Sequence, residues 1–142
     1  MEKIKNLCII QARMGSTRLP GKSLMKIAGI PLLARVVNRA KLAKRISRVV
    51  VATTTDEKDE AIEKLCKKIG VDCFRGSEED VLDRFYQCAS KYPGYSNIIR
   101  LTGDCPLTDP LIIDEVVELF LGGGFDYAAN INPETFPDGL DV

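Results

Sequence analysis

The chain has 142 residues, 20 basic and 20 acidic side chains, no histidine, and apolar and charged fractions of 45% and 28%. That is the profile of one ordinary globular domain with a single core. Balanced charge excludes a protein held to nucleic acid mainly by bulk charge, and the missing histidine excludes imidazole acid–base chemistry and histidine-ligated metals. Cys8, Cys66, Cys73, Cys88 and Cys105 are odd in number, widely spaced and without a CxxC pair. They are expected to be free thiols in a reducing compartment rather than a zinc site or a disulfide framework. The opening "MEKIKNLCIIQAR" is interrupted by charges, so it is not expected to be a signal peptide. No run approaches the roughly 20 apolar residues of a membrane span, and a cytoplasmic protein is expected.

In chain order, residues 6–12 form a short apolar run suited to a strand buried on both faces. After a loop rich in glycine and proline, residues 31–45 read as a helix, with Pro31 in its first turn and Leu32, Leu33, Val36, Val37 and Ala40 on one face. Residues 48–54 form a second buried strand. Asp56 is placed to cap the next helix, whose stripe is Ala61, Ile62, Leu65, Cys66 and Ile69 and which Gly70 ends. Residues 71–75 read as a third strand, and the helix after it is expected to be capped at Ser77. "NIIRLTG" is a fourth strand, Asp109-Pro110 opens another helix, and "FDYAAN" is expected as a fifth strand. This alternation predicts one domain over residues 1–142, a three-layer α/β/α Rossmann-like sandwich with a mainly parallel sheet and right-handed crossovers. Ligands of such sheets bind beyond the carboxyl ends of the strands.

Beyond the first strand lies "QARMGSTRLPGKS", with Arg13, Arg18 and Lys22 as cations. Gly15 permits close backbone approach, and Ser16 and Thr17 offer hydroxyls and adjoining N–H groups able to form an anion nest. The arginines are planar forks for phosphate oxygens and Lys22 is a point charge. No carboxylate stands between Glu2 and Asp56, so the local field is positive and suits a triphosphate. The loop is not a P-loop. Five residues rather than four separate Gly15 from Gly21, and Gly29 and Pro31 leave no room for a long helix after Lys22. The bland alternative is an exposed basic loop without a ligand.

Beyond the fourth strand, "RLTGDCPLTDP" puts Asp104 at the same edge of the sheet. Magnesium takes one or two carboxylates and completes its shell with water and substrate phosphates, which a lone aspartate here would serve. The competing reading of Asp104 is a turn aspartate bonded to its own backbone; Asp109 reads as a helix cap.

"QARMGSTRLPGKSLMKIAGIPLLARVVNRA" resembles the opening of the sugar-activating cytidylyltransferases, those for 3-deoxy-manno-octulosonate and acylneuraminates, including the spore coat polysaccharide biosynthesis protein F subgroup. Arg13, Thr17, Arg18, Leu19, Pro20, Gly21 and Lys22 carry the likeness, and "RVVVATTTD", "RLTGDCPLTDP" and "FPDGLDV" follow in order. The resemblance implies the nucleotide-diphospho-sugar transferase type of fold. It also implies transfer from CTP, as a hydroxyl of an acidic sugar attacks the α-phosphorus and pyrophosphate leaves. Arg13, Arg18 and Lys22 would neutralise the triphosphate, and Asp104 would hold Mg²⁺. Ala12 and Arg13 would lie near the nucleoside, Arg75 and Ser77 near the cytosine, and Asp138 and Asp141 toward the sugar. For Arg75 the alternative is a solvated arginine at a strand end. Members of the family are usually longer, so a C-terminal truncation is expected. It would remove parts that complete the sugar site, supply a second metal carboxylate and contribute to the homodimer. The rival functions are a nucleotidyltransferase using another nucleotide and a sugar phosphate, and a non-catalytic nucleotide-binding fragment.

Overall fold

The computed structural model describes residues 4–142. Four parallel strands form the central sheet: β1 (Asn6–Gln11), β4 (Arg48–Thr54), β5 (Asp72–Gly76) and β6 (Asn97–Thr102), in the order β5-β4-β1-β6. A small antiparallel hairpin, β2 (Lys26–Ile27) with β3 (Ile30–Pro31), stands apart from it. Among the described residues there are four α-helices: α1 (Leu32–Ala40), α2 (Glu60–Ile69), α3 (Val81–Ser90) and α4 (Pro110–Gly123).

Side chains alternate across β1, and the two faces bury different helices. Cys8 and Ile10 pack with Leu33, Val36 and Val37 of α1, Ile62 and Cys66 of α2, and Ile113 and Val117 of α4. Leu7 and Ile9 pack on the other face with Phe85 and Cys88 of α3. The predicted three-layer sandwich is therefore formed. Sequence order runs outward from β1 through β4 to β5, then returns to β6 on the far side of β1. The strand order reverses between β1 and β6, and ligands of open parallel sheets bind at such a reversal. Register brings Gln11 level with Ala52 and Thr102 there.

Several local expectations are corrected. The helix predicted to reach residue 45 stops at Ala40: the N–H groups of Leu42 and Ala43 close tight turns on the carbonyls of Arg39 and Ala40, and Asp114 of α4 then accepts from Lys44 N–H at 3.0 Å and Arg45 N–H at 2.8 Å. Asp56 caps a 3-10 turn, Glu57–Asp59, that leads into α2. The cap of α3 is Asp80, which accepts from Asp83 N–H at 2.8 Å, while Ser77 accepts from Asp80 N–H one turn earlier. Residues 125–130 form no strand. Phe125 and Tyr127 stay exposed, and Asn130 turns the chain instead, donating to Leu140 O and accepting from Val142 N–H, both at 2.9 Å. Among the described residues no helix is long and apolar enough to cross a membrane, and all five cysteines are free.

Candidate nucleotide site

Past Gln11 the chain leaves β1 and folds back on itself. The Met14 carbonyl accepts from Ser16 N–H at 2.9 Å and from Gly21 N–H at 3.0 Å, and Ser23 Oγ donates to Arg13 O at 3.3 Å. Gly21 is left-handed, φ 73°, which favours glycine there, and it opens a 3-10 turn over Lys22–Leu24. Lys22 therefore begins one tight turn rather than the long helix of a P-loop. Closure of the loop leaves the N–H groups of Gly15, Thr17 and Arg18 without backbone acceptors among the described residues. Such free donors are what an anion-binding loop presents.

Asp59, which the sequence reading passed over, anchors this loop. It is 2% exposed. Its Oδ1 accepts from Met14 N–H at 2.7 Å, and its Oδ2 accepts from Thr54 N–H and the Thr54 hydroxyl. One buried carboxylate thus ties the loop after β1 to the end of β4. Its signal in the sequence was an aspartate three residues into a helix start already assigned to Asp56.

The loop and the β6 end enclose an open cavity of about 230 Å³ lined by Gln11, Ala12, Arg13, Ser16, Thr17, Arg18, Lys22, Ser23, Thr102, Gly103 and Asp104. Seven of the expected site residues meet there: Ala12, Arg13, Ser16, Thr17, Arg18, Lys22 and Asp104. Gln11, Ser23, Thr102 and Gly103 were not anticipated. The basic loop and the acidic turn touch: Lys22 Nζ donates to Asp104 Oδ2 at 2.8 Å. That hydrogen bond, ahead of burial, which opposes it, sets the balance, and it holds the Asp104 carboxyl below the usual carboxylate range. Arg13 and Arg18 form no ion pair among the described residues and remain exposed.

Gly15 lies on the same loop but does not line the cavity, and a Cβ there would meet open space. Arg75 lies elsewhere. Its Nε and Nη2 donate to the carbonyls of Thr54 at 3.0 Å and Asp56 at 2.8 Å, and Nη1 pairs with Glu63 at 3.2 Å, so the guanidinium braces the β4–α2 connection. Ser77 gives its hydroxyl to the turn before α3. Asp138 is exposed in the C-terminal segment. Asp141 is exposed there too; burial pushes the Cys105 thiol pKa up, with the charges of Asp104 and Asp141 adding to it.

Gly103 is buried where β6 meets β1, and its N–H donates to Gln11 O at 2.7 Å. A Cβ at that position would lie 2.6 Å from Gln11 O and 3.0 Å from Ala12 Cβ. Neither neighbour is the end of a flexible side chain, so the strand ends must separate. Gly103→Ala is expected to destabilise the fold by about 1–3 kcal/mol and to weaken ligand binding at the cavity, read by urea unfolding and by titration calorimetry.

Comparison with known proteins agrees with this geometry. A cytidylyltransferase family profile matches residues 7–138. The chain is 44% identical over 130 residues to the spore coat polysaccharide biosynthesis protein SpsF of Bacillus subtilis, covering 89% of this chain and 54% of that protein. A solved cytidylyltransferase from Leptospira borgpetersenii superposes with a TM-score of 0.89 at 41% identity, over 98% of this chain and 59% of that one. A CMP:2-keto-3-deoxy-manno-octonic acid synthetase solved with CTP gives 0.75 at 27% identity, over 84% of this chain and 48% of that one. The chain spans about half the length of the curated relatives it matches. With cations and a carboxylate gathered at the β1/β6 reversal, and with the family profile running from β1 almost to the end, the chain belongs to the cytidylyltransferase family.

Proposed function

We propose that this chain is the nucleotide-binding part of an enzyme that transfers CMP from CTP to a hydroxyl of an acidic sugar, releasing pyrophosphate. The observation that carries the reading is the meeting of Arg13, Arg18, Lys22 and Asp104 in one cavity at the strand-order reversal. Arg13, Arg18 and Lys22 neutralise the triphosphate, while the free N–H groups of Gly15 and Thr17 and the hydroxyls of Ser16 and Thr17 receive phosphate oxygens. Ala12 lies beside the nucleoside. In such a transfer the protein mainly positions groups and stabilises charge, which a site without histidine can do. Support for CTP and an acidic sugar comes from the CTP complex of the structural relative and from the cytidylyltransferases for 8-amino-3,8-dideoxy-manno-octulosonate among the sequence relatives. Asp138 and Asp141 are assigned to the sugar side. A role in spore coat or other surface polysaccharide biosynthesis is extended from the Bacillus subtilis relative.

Among the described residues no three metal-ligating side chains cluster. A single exposed carboxylate beside a phosphate loop still fits Mg²⁺, which draws its remaining ligands from water and phosphate. Asp104 would hold it, and the bound ion would polarise and neutralise phosphate oxygens. The test is thermal stabilisation by a panel of nucleoside triphosphates, with and without Mg²⁺. CTP with Mg²⁺ is expected to raise the melting temperature, and Asp104→Asn is expected to abolish the Mg²⁺-dependent part only. No stabilisation by any triphosphate would refute the nucleotide site. An Asp104→Asn protein that unfolds without metal would make Asp104 structural.

A further inference from the structure

Two of the five free cysteines meet in the seam between α2 and β5, away from the cavity. Cys66 is wholly buried in the stripe that α2 turns to the sheet, with Ile62 and Leu65. Side chains alternate along the strand that follows. Phe74 packs on the α3 face, Val71 and Cys73 pack in the core layer that holds α2, and Arg75 reaches Glu63 of that helix.

Two contacts bracket the pair. At one end Val71 N–H donates to Cys66 O at 3.0 Å. At the other, Arg75 Nη1 donates to Glu63 Oε2 at 3.2 Å. Cys73 stands midway between Val71 and Arg75 on one face of the chain. Cys66 lies one helical turn beyond Glu63 on one face of α2. Residues 66 and 73 therefore occupy the rung between those contacts, and the Cys66 thiol donates to the Cys73 sulfur.

The two sulfurs are not equivalent. The hydrogen bond to Cys73, and then burial, pushes the Cys66 thiol pKa up. That same hydrogen bond pulls the Cys73 thiol down; Arg75 acts in the same sense, and burial, Glu63 and Asp59 oppose. Cys73 is also only half-buried, so it is the sulfur that an oxidant reaches as thiolate. Cys66 stays protonated beside it. The other thiols are placed differently. Cys8 and Cys88 are wholly buried, and burial pushes both up. Cys105 is half-buried, but its neighbours are Thr102 and Asp104 rather than a thiol.

We propose that Cys66 and Cys73 form a reversible dithiol–disulfide site, oxidised by hydroperoxides, that locks α2 to β5. With hydrogen peroxide, the Cys73 thiolate attacks one oxygen and the O–O bond breaks. Cys73 becomes a sulfenic acid, and the departing hydroxide takes up the proton that Cys73 shed. The Cys66 sulfur then attacks the sulfenic sulfur. An S–S bond forms, the S–O bond breaks, and the hydroxyl leaves with the Cys66 proton as water. In sum, two thiols give up two electrons and two protons, and the peroxide becomes two waters. A dithiol reductant reverses the bond by exchange.

The experiment exposes the native protein to a small excess of hydrogen peroxide, alkylates the remaining thiols in denaturant and maps the disulfides. Trypsin cuts between the two cysteines, after Lys67 and Lys68, so the bond appears as peptide Leu65–Lys67 joined to Ile69–Arg75. The wild-type protein should lose two of its five free thiols and regain them with dithiothreitol. Cys66→Ala should leave a Cys73 sulfenic acid that dimedone traps. Cys73→Ala should slow oxidation of Cys66 roughly tenfold or more, since the buried sulfur loses its exposed partner. Peroxide that consumes Cys105 and leaves the pair reduced overturns the assignment. So does a joined peptide that forms only in urea, or a Cys73→Ala protein whose Cys66 is oxidised as fast as before. Should a variant fail to fold, the wild-type peptide map decides alone. None of these readouts involves a nucleotide, so they stand whatever ligand the cavity takes.

Discussion

Replacing Asp59 with alanine is expected to cost about 3–4 kcal/mol of folding stability and to lower the melting temperature by roughly 10 °C. Three donors lose a charged acceptor together: Met14 N–H, Thr54 N–H and the Thr54 hydroxyl. Hydrogen bonds to charged groups are worth about 1.5–3 kcal/mol each, and donors that share one carboxylate do not add fully. Asp59→Asn keeps one acceptor oxygen and should lose less, about 1–2 kcal/mol. The effect should reach the ligand as well. Met14 is pinned between Arg13 and Gly15, so releasing it loosens the loop that carries the cations. Nucleotide affinity should fall in both variants although Asp59 does not line the cavity. Urea unfolding checks the first expectation and calorimetry of the folded Asp59→Asn protein checks the second. A loss under 1 kcal/mol in Asp59→Ala would remove the anchoring role.

Lys22→Ala is expected to weaken triphosphate binding by about 1.5–3 kcal/mol, a factor of ten to about a hundred and fifty, for the loss of one charged contact. The same lysine occupies Asp104 at 2.8 Å in the ligand-free protein. On the proposed reading, phosphate would draw Lys22 away from Asp104 and a cation on Asp104 would displace Lys22, so each ligand would break the contact that opposes the other. Nucleotide and divalent cation should therefore bind with positive coupling, and the coupling must be reciprocal. Without the lysine amine, Asp104 should accept the cation more readily when no nucleotide is present, and the coupling between the two ligands should shrink. Titrating Mn²⁺ by its paramagnetic effect on water relaxation, with and without CTP, reads both quantities. A Lys22→Ala protein with unchanged CTP affinity and unchanged coupling would mean that Lys22 serves only to tether Asp104.

Much of this molecule is legible in its sequence because the relevant physics is local. The apolar runs of β1 and β4 mark strands buried on both faces, and the periodic stripes of α1 and α2 mark helices packed on one face. Gly70 and Asp109 end and begin helices through backbone and side-chain geometry that needs no distant partner. Arg13, Arg18, Lys22 and Asp104 could be placed at one edge from the alternation of strands and helices alone, since every crossover returns the chain in the same direction.

Where a distant residue intervened, the sequence was silent. The path of the chain after α1 is held by Asp114, which binds the N–H groups of Lys44 and Arg45 from some seventy residues on. A fifth strand over residues 125–130 had suitable side chains, yet the chain there is held by Asn130 bonds to Leu140 and Val142 instead of a sheet neighbour. Asp59 and Arg84 look like ordinary helical charges until the fold buries them. Arg75 reads as a free strand-end cation until two carbonyls and Glu63 claim it. Periodicity, capping and crossover direction are properties of short segments, so the sequence alone determined the parallel α/β sandwich and the edge where its basic loop faces Asp104. Which charges are buried, which are already paired and which are left bare depends on contacts between residues far apart in the chain, and only the tertiary structure decided those.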